Sequence, residues 1–92
     1  MIRSFRDRRT RALFDGERVS AFHSFAEQAE RRLRILDAVE TLDALRALPS
    51  NRFEALVGDR KGRFSIRINR QWRVCLVWRQ DGAHEVEIID YR

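Results

Sequence analysis

The sequence predicts a single α+β domain in which N-terminal helices pack on one face of a small, twisted antiparallel sheet. Three observations carry that expectation. Apolar residues recur at helical spacing through the first half of the chain, they alternate strictly after Asn51, and 92 residues suffice for one hydrophobic core but not two. Hydrophobic residues make up 43% of the chain, enough to fill such a core and to argue against wholesale disorder. The domain is expected to span residues 1–92.

Ile2-Arg3-Ser4-Phe5 alternates and reads as a short first strand. Asp7 is placed to cap a short helix running to Phe14, with Gly16 as its stop. From Ser20, Phe22, Phe25, Ala26, Ala29, Leu33 and Leu36 fall on one stripe, with Glu27, Glu30, Arg31 and Arg34 on the others. That pattern is an amphipathic helix of about 18 residues. Leu42, Leu45 and Leu48 keep the helical period until Pro49-Ser50-Asn51 ends it. Phe53, Ala55 and Val57 then alternate with Arg52 and Glu54 as a strand, and Gly58-Asp59-Arg60-Lys61-Gly62 turns the chain. Phe64, Ile66 and Ile68 form a hairpin with Trp72, Val74, Leu76 and Trp78 across Asn69-Arg70-Gln71. Asp81-Gly82 leads into a last strand through Val86 and Ile88, closing on Ile89-Asp90-Tyr91-Arg92. The Phe22, Phe25, Leu33 and Leu36 stripe is expected to lie over Phe64, Ile66, Trp72, Val74 and Leu76.

Charge and composition narrow the function. There are 19 Lys and Arg against 14 Asp and Glu, a net +5, and Lys61 is the only lysine, so 18 are arginines. Guanidinium suits a planar, two-pronged grip on phosphate and stacking on bases, although a GC-rich coding sequence would give the same ratio. Position decides between them. Arg63, Arg67, Arg73 and Arg79 alternate with the large apolar residues of their strands, so they are expected to share one free, concave, basic face. His23 reads as helix surface and His84 as a turn residue, and neither has metal-ligand spacing. Cys75, the single cysteine, reads as core, and no glycine-rich phosphate loop is present. No stretch nears the roughly 20 apolar residues of a membrane span, and the start lacks a signal-peptide core, so a cytoplasmic protein without a membrane partner is expected.

Cleaving RNA requires a base for the 2′-hydroxyl, a cation for the phosphorane and a proton for the leaving 5′-oxygen. Arginine serves the second task and is a poor base. On the residues alone, a basic sheet that binds nucleic acid, or is merely solvated, stays open beside a catalytic one.

Four ordered blocks point further: Gly58-Asp59-Arg60-Lys61-Gly62, Phe64-Ser65-Ile66-Arg67-Ile68-Asn69, Gln71-Trp72-Arg73 and Val86-Glu87-Ile88-Ile89-Asp90-Tyr91. Together with the Met-Ile-Arg-Ser-Phe opening, they resemble the HigB branch of the RelE/ParE toxin superfamily over essentially the whole chain. The resemblance implies a RelE-like fold and the toxin of a bacterial type II toxin–antitoxin module. Such a toxin is a metal-independent endoribonuclease, an mRNA interferase that enters the ribosomal A site, cuts translated mRNA there and inhibits translation. No cofactor is implied. The implied partners are the ribosome and a helix-turn-helix antitoxin of HigA type, through which alone operator DNA is reached.

By the family's pattern Arg73 supports the phosphate, and the terminal Asp-Tyr-His falls on Asp90, Tyr91 and Arg92. Arg60, Lys61, Arg63 and Arg67 are the RNA-binding cations on the same reading. The chain departs from the pattern twice. The family's histidine is Arg92, and Val57 stands where some members carry a catalytic lysine. Three readings follow: Arg92 keeps activity electrostatically, the toxin is weakened or inactive, or its target is DNA gyrase, as for ParE relatives.

Overall fold

The computed structural model describes residues 1–60 and 62–91. Helix α1 (Arg8–Phe14) starts as expected, with Asp7 Oδ2 accepting from the Thr10 amide at 3.3 Å. The single long helix expected from Ser20 is instead two elements, a 3₁₀ turn over Ser20–Phe25 and helix α2 (Ala26–Ala38). They join at Phe25, whose backbone leaves helical geometry at φ −133° and ψ 21°. In a 3₁₀ turn residues i and i+3 eclipse, which sets Phe22 and Phe25 in line over Trp72. The Trp72 ring centroid lies 6.0 Å from that of Phe22 and 4.8 Å from that of Phe25. Over six residues the spacing of apolar side chains does not separate periods of 3.0 and 3.6. Helix α3 (Leu42–Ala47) is capped by Thr41 Oγ1, which accepts from the Ala44 amide at 3.0 Å, and a 3₁₀ turn over Pro49–Asn51 follows.

The sheet comprises β1 (Glu54–Ala55), β2 (Phe64–Arg67), β3 (Trp72–Arg79) and β4 (Gly82–Asp90), in that spatial order and antiparallel throughout. Register pairs Ser65 with Cys75, Arg67 with Arg73 and Arg73 with Ile89, and a bulge interrupts the β3–β4 ladder between Cys75 and Val77. His84 therefore lies on β4 rather than in the turn, with its Nε2 2.6 Å from Asp81 Oδ1.

Two strand expectations need correction. The segment around Ile2–Phe5 is no independent strand; it makes isolated parallel bridges from Ile2 to Ala83 and from Phe5 to Val86. Its backbone covers the outer edge of β4, with the Arg3 amide 2.7 Å from Ala83 O and the Val86 amide 3.1 Å from Ser4 O. An uncovered edge strand would template association with another chain. Alternation over four residues specifies neither a partner nor a direction. Gly82 permits this approach, because its φ is +132° and a Cβ there would collide with the Met1 carbonyl oxygen. The other correction concerns β1, where the alternation expected from Phe53 to Val57 fails. Leu56 is buried and Val57 is 84% exposed, because only two residues pair with β2 between the left-handed Arg52 (φ 47°) and the turn at Gly58.

The core forms where expected. Phe22, Leu33, Leu36 and Leu45 pack with Ile66, Val74, Leu76 and Val86, all without solvent exposure, and Phe64 and Trp72 border them. Among the described residues no helix is long and apolar enough to cross a membrane. Leu33→Ala is expected to cost about 2–5 kcal/mol, since Leu33 is fully buried in this cluster and its truncation leaves a cavity. Urea denaturation reads this, and an unchanged midpoint would exclude Leu33 from the core.

Candidate active site

The alternation of β3 sends Trp72, Val74 and Leu76 toward the helices and Arg73 to the opposite face. Arg73 is nevertheless only 8% exposed. Its Nε donates to Ser65 Oγ at 2.7 Å, and its Nη2 donates to Ser65 O at 3.4 Å and to Arg52 O. The same Nη2 lies 3.8 Å from Glu54 Oε2, and the guanidinium carbon sits 5.5 Å from the Tyr91 ring centroid. Tyr91 closes the triangle by donating its hydroxyl hydrogen to Glu54 Oε1 at 3.0 Å.

Each member is held by a separate element. Glu54 faces Ser65 across the β1–β2 ladder, and Arg73 sits on β3. The Tyr91 amide donates to Gln71 O at 2.6 Å, and Gln71 is itself fixed because Asn69 Oδ1 accepts from the Gln71 and Trp72 amides, both at 2.8 Å. Glu54 and Tyr91 are about half open to solvent, so the carboxylate and phenol form the accessible rim and the guanidinium its floor. The hydrogen bond to Glu54, reinforced by the charge of that carboxylate, holds the Tyr91 phenol above its ordinary value. As a set, these groups offer a proton acceptor, a proton donor and a fixed positive charge.

Of the other expected site residues that the structure describes, Arg67 adjoins the cluster, whereas Asp90 and Arg63 do not join it. Asp90 pairs in register with Trp72, which puts it on the helix side of the sheet, opposite Arg73, where it accepts from Gln71 Nε2 at 3.0 Å. Arg67 faces Arg73 directly across the β2–β3 ladder and donates to Asn69 O at 3.1 Å. The expected arginine-lined face is in fact of mixed charge. Arg63, 14% exposed in its side chain, pairs with Glu85 at 2.8 Å and Glu87 at 3.7 Å, and Arg79 pairs with Glu85 at 3.8 Å. Alternation gave the side of the sheet on which these arginines stand but not the carboxylates that β4 brings beside them. Lys61, Arg92 and the Arg60 side chain lie outside the described residues.

Glu54 is the member that sequence reasoning missed. It reads only as the polar alternate of a strand, and nothing local marks it, because its role depends on the β1–β2 register and on a chain end 37 positions away.

The family model for the HigB-like toxin, described as the RelE-like toxin of the type II toxin–antitoxin system HigB, matches residues 3–92. The chain belongs to this family. A stretch of 48 residues is also 50% identical to Toxin HigB-1 of Vibrio cholerae serotype O1 (strain ATCC 39315 / El Tor Inaba N16961). It covers 52% of this chain and 50% of that relative, so the likeness spans about half of the relative's length. The three helices and four-stranded antiparallel sheet accord with the RelE-like fold of HigB-type toxins.

Two outcomes follow for this HigB-like toxin. Its single tyrosine should titrate above the ordinary phenol range, since ionisation places a second negative charge beside Glu54. Glu54→Gln should lower that midpoint in a spectrophotometric titration, and an unmoved midpoint would break the contact. Arg73→Ala should destabilise by roughly 1–3 kcal/mol, because Arg52 O and the Ser65 hydroxyl lose a buried donor. Arg73→Lys should recover only part of the loss, as an ammonium lacks the fork that reaches both. Melting temperatures of the two variants decide this.

Proposed function

We propose that this HigB-like toxin is a metal-independent endoribonuclease that inhibits translation by cutting mRNA in the ribosomal A site. The observation that carries the proposal is the exposed Glu54 carboxylate bonded to Tyr91 above the Arg73 guanidinium, which supplies the proton chemistry that arginines alone lack. Glu54 takes the proton of the 2′-hydroxyl, whose oxygen attacks the adjacent phosphorus, and the bond to the 5′-oxygen breaks. Tyr91 gives its phenolic proton to the leaving oxygen and regains one from Glu54, so one proton passes from the 2′-oxygen to the 5′-oxygen. The products are a 2′,3′-cyclic phosphate and a 5′-hydroxyl. Arg73 holds Glu54 and Tyr91 in place and lends positive charge to the phosphorane, a task that Arg92 shares. Asp90 acts through Gln71, bracing the β2–β3 turn that fixes Tyr91. A helix-turn-helix antitoxin of HigA type is the proposed neutralising partner, and the cytoplasm the proposed site of action.

Cleavage of mRNA on programmed ribosomes tests this. Glu54→Gln should lower kcat by about 10²–10⁴-fold, the usual contribution of a positioned base, with little change in the ribosome concentration at half-maximal rate. Arg92→His should leave activity equal or lower if Arg92 is itself the working cation, and raise it if Arg92 merely occupies the place of a lost acid. If neither the original chain nor Arg92→His cuts mRNA, the nuclease reading fails, and an inactive or gyrase-directed toxin becomes the better account.

A further inference from the structure

Beside the Glu54–Arg73–Tyr91 cluster, α2, the Pro49–Asn51 turn and the β2–β3 turn enclose an open groove of about 410 Å³. Arg32, Arg52, Arg67 and Arg70 line it, together with the neutral polar residues Ser50 and Asn69. Among the described residues no carboxylate lies within 4.0 Å of these four guanidinium groups, whereas Arg3, Arg6, Arg11, Arg34, Arg63, Arg73 and Arg79 each have one. The groups that do hold them are neutral. Arg32 Nη1 donates to Asn51 Oδ1 at 3.0 Å and Ser50 Oγ at 3.3 Å, and Arg67 Nε donates to the Asn69 carbonyl. Partial burial and the charge of Arg31 make the protonated form of Arg32 less favourable than usual, a cost that a bound anion would relieve.

The groove adjoins the cluster at two points. Arg67 pairs in register with Arg73, and the Arg52 carbonyl accepts from the Arg73 guanidinium. We propose that this groove is a binding site for the phosphodiester backbone of single-stranded RNA, carrying the strand away from the scissile phosphate along Arg67, Arg52, Arg70 and Arg32. The inference rests on the nuclease reading for the strand's other end but not for binding itself. A polypeptide fits the groove poorly, because interface cores are built around apolar and aromatic contacts and Ile68, itself buried, is the one large apolar side chain in the lining. Four unneutralised forks among neutral hydrogen-bonding groups match phosphate and sugar oxygens.

The test is fluorescence anisotropy with a labelled, 2′-O-methylated RNA of roughly 12 nucleotides, which binds but is not cut. Arg52→Asn and Arg70→Gln are combined in the full chain, because both residues are exposed and asparagine tolerates the left-handed backbone at position 52. Affinity should fall about tenfold or more, and the slope of log Kd against log salt should flatten by about 1.4, two phosphates at about 0.7 each. Arg31→Gln with Arg34→Gln removes the same charge from exposed positions outside the groove and should change both readings far less. An equal loss in that control, or unchanged binding in the groove variant, overturns the proposal. So does a groove variant that keeps RNA but loses an acidic antitoxin peptide. Loss of RNA binding with no cleavage by the original chain would sink the nuclease reading and leave the groove standing.

Discussion

A cation withdrawn from water is the constraint around which this molecule is organised. Arg73 is the second residue of β3, an inner strand of the sheet, with a side chain only 9% exposed, and a guanidinium so placed is tolerated only when its donors and its charge are both answered. Ser65 on β2, the Arg52 carbonyl before β1, Glu54 on β1 and the Tyr91 ring beyond β4 answer it. Those groups come from every strand or its flank, so satisfying one side chain also fixes the β1–β2–β3 register and draws in the chain end. A two-residue strand such as β1 has little pairing energy of its own, and the shared cation gives it a reason to stay docked. Fold and candidate chemistry thus depend on the same group.

The charge of the chain is arranged on two scales. At long range a net +5 favours encounter with polyanions. At short range many of the arginines are spoken for. Arg63, Arg79 and Arg6 share Glu85 and Glu87, and of these pairs Arg63 with Glu87 is the most shielded from solvent, at 14% and 16% side-chain exposure. The exposed pairs contribute little to stability, but they remove cations from the pool available to a ligand. Among the described residues, Arg32, Arg52, Arg67 and Arg70, which have no carboxylate partner, gather in the groove beside Arg73.

The two departures from the family's pattern look different once the site is built. Val57, where the resemblance implies a lysine in some members, stands at 84% exposure past the end of β1, at the surface. Three residues earlier, Glu54 brings a carboxylate against Tyr91 and Arg73, and a carboxylate is a competent proton acceptor where arginine is not. Glu54 thus brings a carboxylate from the opposite edge of the sheet to the tyrosine of the terminal block.

Residue order alone determined the fold class, most element positions and the core, because hydrophobic periodicity is a local signal and Asp7, Pro49 and Asp81-Gly82 mark boundaries within a few residues of themselves. It also placed Arg73 on the face away from the helices, since alternation along one strand requires no partner. Whatever depended on a partner was decided by tertiary structure. The 3₁₀ geometry of Ser20–Phe25 goes with stacking on Trp72, and the parallel bridges of Ile2 and Phe5 with the open edge of β4. The burial of Arg73, the neutralisation of Arg63 and the meeting of Glu54 with Tyr91 follow from register between segments distant in the chain. Periodicity reports which way a side chain points; only the packed sheet decides what it meets there.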